Sequence, residues 1–260
     1  MREFTEQELV RRNKVEEIKE FCNPYPERYE TNYTLKEAST LEDGIKDVRV
    51  AGRIVFMRKM GKLSFLKLRD IEGDLQVSIK IDLVGEEKYK FFKTMIDLGD
   101  FIGVVGEIFT TQTGEKTLRA DDFTFLGKAL KPLPEKFHGV TDPEICYRNR
   151  YLDLIMNEST RKRFLLKYEF IKEIRRFLED DGYIEIETPV LSNKASGASA
   201  RPFTAHHNAL DIDVYLRIAP ETYLKRAVVG GFTKVFEFAR CFRNEGIDAT
   251  HLQDFTMLEC

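Results

Sequence analysis

The stretch KVFEFARCFRNEGIDATHLQDFTMLEC, residues 234–260, has the clearest structural pattern in this chain. Its first part alternates and is rich in valine and phenylalanine, which predicts a strand over residues 234–242. A turn containing glycine follows, and residues 254–260 have the composition of a return strand. The stretch therefore predicts a two-stranded ribbon, in which Arg243 leaves the first strand and Phe255 enters the second.

Arg243 and Phe255 have the chemistry of a nucleotide site. A guanidinium presents a planar fork of donors that matches two phosphate oxygens, and a phenyl ring can stack on a purine. The competing interpretation is an ordinary surface, because an Arg-x-Glu at a strand end is usually an ion pair worth about 0 to 1 kcal/mol. A strand phenylalanine likewise usually packs in a core. These residues alone favour the ordinary interpretation, and the longer sequence around them reverses it.

Three longer strings carry a resemblance to a known family. They are KPLPEKFHGVTDPEICYRNRYLDLI at Lys131–Ile155, GASARPFTAHHNALDIDVYLRIAPETYLKR at Gly197–Arg226 and VFEFARCFRNEGIDATH at Val235–His251. In this order and spacing they resemble the class II lysyl-tRNA synthetases, and the similarity extends along nearly the whole chain. The resemblance implies an α+β fold: an N-terminal five-stranded OB-fold β-barrel, then a partial class II synthetase antiparallel sheet with flanking helices.

Composition bounds the class of protein without identifying it. With 260 residues and 42% hydrophobic content, the chain can build one large or two moderate domains. A net charge of −3 gives no overall attraction to RNA, so a nucleic-acid contact needs a local basic face. The 4 cysteines lack metal-ligand spacing, so no metal site is predicted. Without a signal-peptide pattern or a long apolar run, we expect a cytoplasmic protein with no membrane partner.

The pattern along the chain divides it into four predicted segments. These are an N-terminal helical extension at residues 1–45, an OB-fold domain at 46–130, a hinge at 131–145 and a second domain at 146–260. The resemblance implies that the OB-fold domain binds the anticodon and that the second domain is the N-terminal part of a class II catalytic domain. The predicted barrel strands are Val48–Met57, Lys62–Arg69, Gly73–Ile81, Phe101–Thr110 and Lys116–Leu126, with a helix at Glu86–Leu98. This order is typical of an OB-fold, which binds oligonucleotides on its central strands.

Four barrel residues are candidates for anticodon binding. Recognition of single-stranded RNA needs an exposed aromatic ring, polar groups for base edges and cations for phosphate, which selects Phe65, Gln76, Arg53 and Arg69. The resemblance implies that Phe65 and Gln76 stack on and read bases of tRNA(Lys). Phe65 could equally belong to the core, whereas the alternation around Gln76 turns the glutamine outward.

The region before the ribbon predicts a dimer interface. A helix at Glu158–Asp181 with an apolar stripe is followed by a predicted strand, Tyr183–Val190, that contains Pro189. Since proline cannot donate to a strand ladder, it marks a strand edge or end, and a two-fold partner could cover such an edge. The resemblance implies that this is motif 1 and that the protein is a homodimer through it.

The resemblance also implies an active site that uses ATP as a substrate and activates lysine. Arg243 matches the motif 2 arginine, which contacts both the attacking carboxylate and the α-phosphate and is therefore the catalytic candidate. The other ATP-site candidates are Asn244, Glu245, His251 and Phe255, and the lysine-site candidates are Gly197, Glu221, Glu259 and again Arg243. Three alternatives stay open: Glu245 pairs with Arg243, His251 is a solvated turn residue, and Glu221 only complements a helix dipole.

The sequence departs from the family pattern at three places. Leu252 stands where the family usually has an asparagine, which puts a hydrogen bond to adenine in doubt, and Ser196 replaces a common glycine. The family's third motif, with its arginine for the γ-phosphate and its Mg²⁺ carboxylates, is not found in the 260 residues. We therefore expect a partial or truncated lysyl-tRNA synthetase that is inactive alone, with Mg²⁺ bound only in the complete enzyme.

Three functions compete. The first is a lysine–tRNA ligase, whose partners are tRNA(Lys), lysine and ATP. The second is a non-catalytic tRNA-binding or regulatory paralogue. The third changes the amino acid to aspartate or asparagine, and Glu221 argues against it because the resemblance places glutamine there in aspartyl enzymes.

Overall fold

A computed structural model describes residues 3–134 and 140–260. The chain divides into two compact units, residues 1–161 and 162–260. Five residues of the predicted hinge, 135–139, lie outside the described residues. The structure contains both α-helices and β-strands, which confirms the predicted α+β class.

The first unit begins with two helices, α1 at Glu6–Lys19 and α2 at Leu35–Ala38. Thr5 and Glu8 form a capping box that satisfies backbone N–H groups at the start of α1. Val15 and Ile18 of α1 are buried, whereas Leu9 remains 48% exposed. Packing within this unit therefore covers only part of the apolar stripe of α1.

The barrel follows as five strands and two helices. Its elements are β1 Val48–Lys59, β2 Leu63–Arg69, β3 Asp74–Lys80, α3 Ile81–Val84, α4 Glu86–Met95, β4 Phe101–Thr110 and β5 Lys116–Gly127. The barrel closes in the order β1-β2-β3-β5-β4, with β3 and β5 parallel and the other neighbours antiparallel. This topology confirms the predicted five-stranded barrel and the helix between its third and fourth strands.

The barrel core is built from alternating strand residues, most regularly in β2. In β2, Ser64, Leu66 and Leu68 are buried while the residues between them are partly exposed. Because successive strand residues point to opposite faces, this pattern separates an apolar interior from a polar outer face. Two short helices, α5 Pro143–Arg148 and α6 Arg150–Met156, complete this unit, so α5 begins inside the predicted hinge.

The long helix α7, Glu158–Asp180, agrees with its prediction to one residue and leads into the second unit. The elements that follow are β6 Ile184–Glu185, β7 Leu191–Ser192, β8 Thr204–His207, β9 Ile212–Leu216, α8 Glu221–Val229, β10 Val235–Phe242 and β11 Asp254–Glu259. They form two three-stranded sheets, β11-β10-β6 and β7-β9-β8. The antiparallel pairing of β10 with β11 confirms the ribbon.

The predicted continuous strand Tyr183–Val190 is wrong. Within this range the structure has only the two-residue strand β6; the next strand, β7, begins at Leu191 and belongs to the other sheet. Pro189 lacks the N–H that a ladder would need, and the carbonyl of Thr188 accepts instead from Arg217 Nη1 at 3.0 Å. The chain therefore passes from one sheet to the other at this point.

Candidate active site

The ribbon places one row of side chains along its buried face. Cys241 lies opposite Phe255 and Glu237 opposite Glu259, so these four residues share a face. Immediately beyond β10, the backbone N–H of Arg243 donates to Gln253 O at 2.8 Å. The Arg243 guanidinium carbon lies 5.1 Å from the centroid of the Phe255 ring. The structure thus brings the predicted phosphate-binding arginine and the predicted adenine-stacking ring together.

The Arg243 guanidinium is only partly satisfied. Its Nε atom is buried and has no hydrogen-bond partner among residues 3–134 and 140–260. Glu245 does not pair with it: Glu245 Oε1 instead accepts from the backbone N–H of Arg201 at 3.1 Å. A buried donor without a partner costs about 1 to 3 kcal/mol, more for a charged group, so this position is suited to receive an anion.

The loop after Arg243 is held by backbone contacts. The N–H of Asn244 donates to Arg201 O at 2.7 Å, and Gln253 Nε2 donates to Glu245 O at 3.1 Å. Asn244 and Glu245 are both exposed. These contacts fix the backbone near Arg243 while leaving the Asn244 side chain at the surface.

His251 lies in its own turn. Its Nδ1 is 2.8 Å from Asp248 Oδ2, and both side chains are exposed. Hydrogen bonds from Thr250, then from His251, lower the pKa of Asp248 to about 2. The contacts of His251 are thus those of a turn residue. Its contact with ATP stays a prediction, and that contact would be made by the other ring nitrogen, Nε2.

Gly197 and Glu221 are in close contact. Gly197 has φ +85°, and a Cβ built on it would lie 3.1 Å from Glu221 Cβ and 3.2 Å from Ala219 Cβ. Glu221 is the first residue of α8 and pairs with Lys225 one turn later. Ser196, which replaces a common glycine, accepts a hydrogen bond from Thr222 Oγ1 at 3.1 Å. A glycine at this position therefore allows the backbone to lie close to Glu221 at the start of α8.

Glu259 completes an acidic cluster. Burial raises the pKa of the Glu259 carboxyl, the charges of Glu221 and Glu237 raise it further, and Arg243 opposes them. These side chains therefore lie within electrostatic reach of Glu259. Carboxylates beside one guanidinium are complementary to an amino acid with a cationic side chain, since the guanidinium suits its carboxylate and the glutamates suit its ammonium groups.

A buried ion pair supports this cluster and was not predicted. Arg217 Nη1 lies 2.6 Å from Glu237 Oε1, and the two side chains are 6% and 5% exposed. Thr188 Oγ1 donates to the other Glu237 oxygen at 2.6 Å, while Arg217 Nε donates to Arg240 O at 2.8 Å. The sequence did contain a signal, because a glutamate at an inward position of a buried strand needs a partner.

The second set of candidates lies on the outer face of the barrel. Phe65 and Arg69 alternate with buried residues of β2, so both side chains are on the outer face and Phe65 is not a core residue. Gln76 lies between the buried residues Leu75 and Val77, as its alternation predicted, and donates to Thr117 Oγ1 at 2.8 Å.

The two candidate arginines of the barrel already have partners. Arg69 binds both carboxylate oxygens of Asp74, and hydrogen bonding to that carboxylate raises its pKa. Arg53 donates to Gly99 O at 2.9 Å and lies 4.2 Å from the Phe101 ring centroid, and burial lowers its pKa. These contacts orient both guanidinium groups at the end of the face.

The predicted dimer segment has exposed apolar side chains. Pro189 lies between β6 and β7, and the next two residues, Val190 and Leu191, are 41% and 49% exposed. Helix α7 also exposes a set of large apolar side chains: Phe164, Leu165, Leu166, Tyr168, Phe170 and Phe177. The apolar stripe expected on this helix is thus present but largely uncovered in a single chain.

Metal and membrane features can be described only for residues 3–134 and 140–260. There, no group of three or more His, Cys, Asp or Glu side chains is arranged to hold a metal ion. None of the helices in this part of the chain has the length and apolar character that a membrane span requires.

Comparison with known proteins agrees with this architecture. Residues 142–260 match the family model of the class II tRNA synthetases (D, K and N), and residues 48–126 match that of the OB-fold nucleic acid binding domain. The chain is 48% identical over 272 residues to a lysine–tRNA ligase of Enterococcus faecalis, covering 100% of this chain and 54% of the relative.

Two further relatives give the same result. A lysine–tRNA ligase of Streptococcus pneumoniae is 48% identical over 269 residues, covering 100% of this chain and 54% of its own length. One of Streptococcus mutans is 48% identical over 267 residues, covering 99% and 54%. The chain spans about half the length of the curated relatives it matches. The matches to both domains and the similarity along the full chain show that it belongs to the class II lysyl-tRNA synthetase family.

Proposed function

We propose that the protein is a lysine–tRNA ligase that activates lysine with ATP and transfers the lysyl group to the 3′ end of tRNA(Lys). The observation that carries this proposal is the Arg243 guanidinium, whose buried Nε has no hydrogen-bond partner among the described residues and which lies beside the Phe255 ring and within electrostatic reach of Glu259. This arrangement offers an anion site, an aromatic surface and cation acceptors in one place. Such an activity serves translation, and we propose a cytoplasmic location for it.

In the proposed reaction, the lysine carboxylate attacks the α-phosphorus of ATP. The new bond joins a carboxylate oxygen to phosphorus, and the bond to the bridging oxygen breaks, so that pyrophosphate leaves and lysyl-adenylate remains. Arg243 holds the two reacting groups together, and such positioning can lower a barrier by about 7 to 11 kcal/mol. The same charge stabilises the anionic phosphoryl oxygens as the bond forms.

The remaining site residues bind the substrates. Glu221 and Glu259 accept hydrogen bonds from the ammonium groups of lysine, and Gly197 allows its backbone to approach. On the nucleotide side, Phe255 stacks on adenine. The other proposed contacts to ATP come from Asn244, Glu245 and His251.

Mg²⁺ is expected with ATP in this family. The described residues contain no cluster that fits it, so no step of the proposal uses a ligand for it from this part of the chain.

The barrel is proposed to bind the anticodon loop of tRNA(Lys). Phe65 supplies a stacking surface, and Gln76 supplies an amide for a base edge. Arg53 and Arg69 contribute positive charge near the phosphates. In this assignment residues 46–130 are the anticodon-binding domain, 131–145 the hinge and 146–260 the N-terminal part of the catalytic domain, after an extension at 1–45.

We also propose that the protein is a homodimer through motif 1. The exposed apolar side chains of α7 and the segment around Pro189 support this assignment. Contiguous apolar surface on a single chain is typical of protein interfaces.

The function is tested by titrating lysine and ATP into the protein by calorimetry and by measuring lysine-dependent exchange of pyrophosphate into ATP. Arg243→Ala should weaken ATP binding and abolish any exchange that the unmodified protein supports. Arg240→Ala is the matched control, because Arg240 is on the same strand but is 53% exposed and pairs with Asp254. An unchanged affinity for ATP in the Arg243→Ala variant would refute the role of Arg243. Binding of tRNA(Lys) without binding of lysine or ATP would favour the non-catalytic alternative.

A further inference from the structure

The outer face of the barrel carries Phe56, an aromatic residue that an uninterrupted alternation along β1 would place in the core. Val48, Val50 and Ile54 are buried at even-numbered positions, so Phe56 would follow them into the core. The register of β1 against β2 shifts between Ile54 and Phe56, however, and Val55 is also buried. A bulge adds one residue to a strand, so the alternation reverses after it. Phe56 is therefore 41% exposed on the outer face.

The strand register fixes the neighbours of Phe56. It lies opposite Lys67 on β2, and Lys67 lies opposite Gln76 on β3. The adjacent row pairs Arg58 with Phe65. Phe56 and Phe65 are therefore diagonal neighbours on one face, a relation that separates residues by about 7 to 8 Å.

The surroundings of the two rings suit single-stranded RNA. Arg58 is exposed beside Phe65, and Lys67 lies between Phe56 and Gln76 with only a 3.5 Å contact to Glu115. Proteins that bind single strands combine cations for the backbone with aromatic side chains on which successive bases stack. Two rings at diagonal positions can accept two neighbouring bases, whereas one ring can accept only one.

We propose that Phe56 is a second base-stacking residue of the anticodon site, which holds the nucleotide next to the one that stacks on Phe65. This inference rests on the proposed binding of tRNA(Lys) by the barrel. Each ring then fixes one unstacked base, and Gln76, on the far side of Lys67 from Phe56, reads a base edge. The bulge in β1 is the structural feature that places the second ring on the outer face.

The first test measures binding of a fluorescently labelled tRNA(Lys) anticodon stem-loop to the full chain at fixed salt. Phe56→Ala should weaken binding about 5- to 100-fold, the range for loss of one stacked base. Phe56→Trp should retain affinity because it keeps an aromatic surface, and Phe56→Leu should lose it although it keeps an apolar side chain. Phe4→Ala is the control, since Phe4 is 47% exposed and lies outside the barrel strands.

The second test combines each variant with stem-loops in which one loop base at a time is removed. In the unmodified protein, loss of either stacked base should weaken binding. In the Phe56→Ala variant, removal of the base that stacks on Phe56 should not weaken binding further. In the Phe65→Ala variant, the base whose removal has no further effect should be the adjacent one in the loop. The slope of affinity against salt should stay the same in both variants, because no phosphate contact is lost.

The outcomes separate the inference from the function on which it rests. Weaker binding by Phe65→Ala together with normal binding by Phe56→Ala would overturn the role of Phe56 and leave the anticodon site in place. Equal loss in Phe56→Ala and Phe56→Trp would also overturn it, because stacking would not be the cause. Failure of the unmodified protein to bind the stem-loop would refute the proposed anticodon site itself.

Discussion

Replacement of Arg217 by methionine should destabilise the ribbon by about 3 to 5 kcal/mol, the usual cost of breaking a buried ion pair. The side chains of Arg217 and Glu237 are 6% and 5% exposed, so water cannot replace the lost partner. After the substitution, Glu237 keeps only the hydroxyl of Thr188, which lies at 2.6 Å. The carbonyl of Arg240 also loses the donor that reaches it at 2.8 Å, which favours the upper part of the range.

The double variant Arg217→Met/Glu237→Met separates the charge effect from the loss of packing. It removes both charges, and apolar replacement of a buried pair is often neutral or stabilising. We therefore expect it to recover at least about 2 kcal/mol of the loss in the single variant. Glu237→Met alone should be destabilising, because it leaves the Arg217 charge buried.

Hydrogen exchange of β10, read by mass spectrometry, measures this loss where it occurs. A loss of 3 kcal/mol or more should speed exchange of the protected amides by two to three orders of magnitude, on the order of tenfold for each 1.4 kcal/mol. Peptides from β2 and β3 in the other compact unit provide the internal reference. Less than a fivefold change in β10, or a double variant as unprotected as the single one, would refute the reasoning.

Two further predictions concern the acidic cluster. Gly197→Ala should cost about 1 to 2 kcal/mol of stability and weaken lysine binding, because φ is +85° and the new Cβ lies 3.1 Å from Glu221 Cβ. Calorimetry and thermal unfolding would show this, with Gly246→Ala as a control that meets no atom within 4 Å. Because the pKa of Glu259 is raised in the folded protein, ionisation of its carboxyl group lowers the stability of the fold. This loss of stability appears as the pH rises through the raised pKa. Glu259→Gln should therefore raise the unfolding temperature of the lysine-free protein at neutral pH while weakening lysine binding; an unfolding temperature below that of the unmodified protein would contradict this.

The barrel could be predicted closely because its strands are half buried. Alternation in Leu63–Arg69 identifies both the strand and its outer residues, since inward and outward positions differ in chemistry. The same logic would place Phe56 in the core, but the bulge before it reverses the alternation and leaves no clear mark in the sequence. The prediction failed at Tyr183–Val190, where a composition typical of a strand forms only the two-residue strand β6 before the chain passes to the other sheet.

The candidate active-site residues were selected by resemblance and not by pattern. The contact between Gly197 and Glu221 depends on how a loop packs against α8, which no local periodicity reports. The need of Glu237 for a partner was visible in its buried strand, but its partner Arg217 is 20 residues away in sequence and could not be identified from the strand alone. Local pattern thus predicts which groups need a partner, and tertiary packing decides which partner they find.

The charges of the cluster also bear on the choice of amino acid within a family that acts on aspartate, lysine and asparagine. Arg217 neutralises Glu237 at 2.6 Å, so the cations left for Glu221 and Glu259 are Arg243 and the surface residue Lys225. Bound aspartate would place a further carboxylate near Glu259, whose pKa burial and the charge of Glu221 already raise, whereas lysine would bring an additional ammonium group. Because like charges in a partly buried site repel strongly, the cluster favours a cationic substrate even before any specific hydrogen bond is considered.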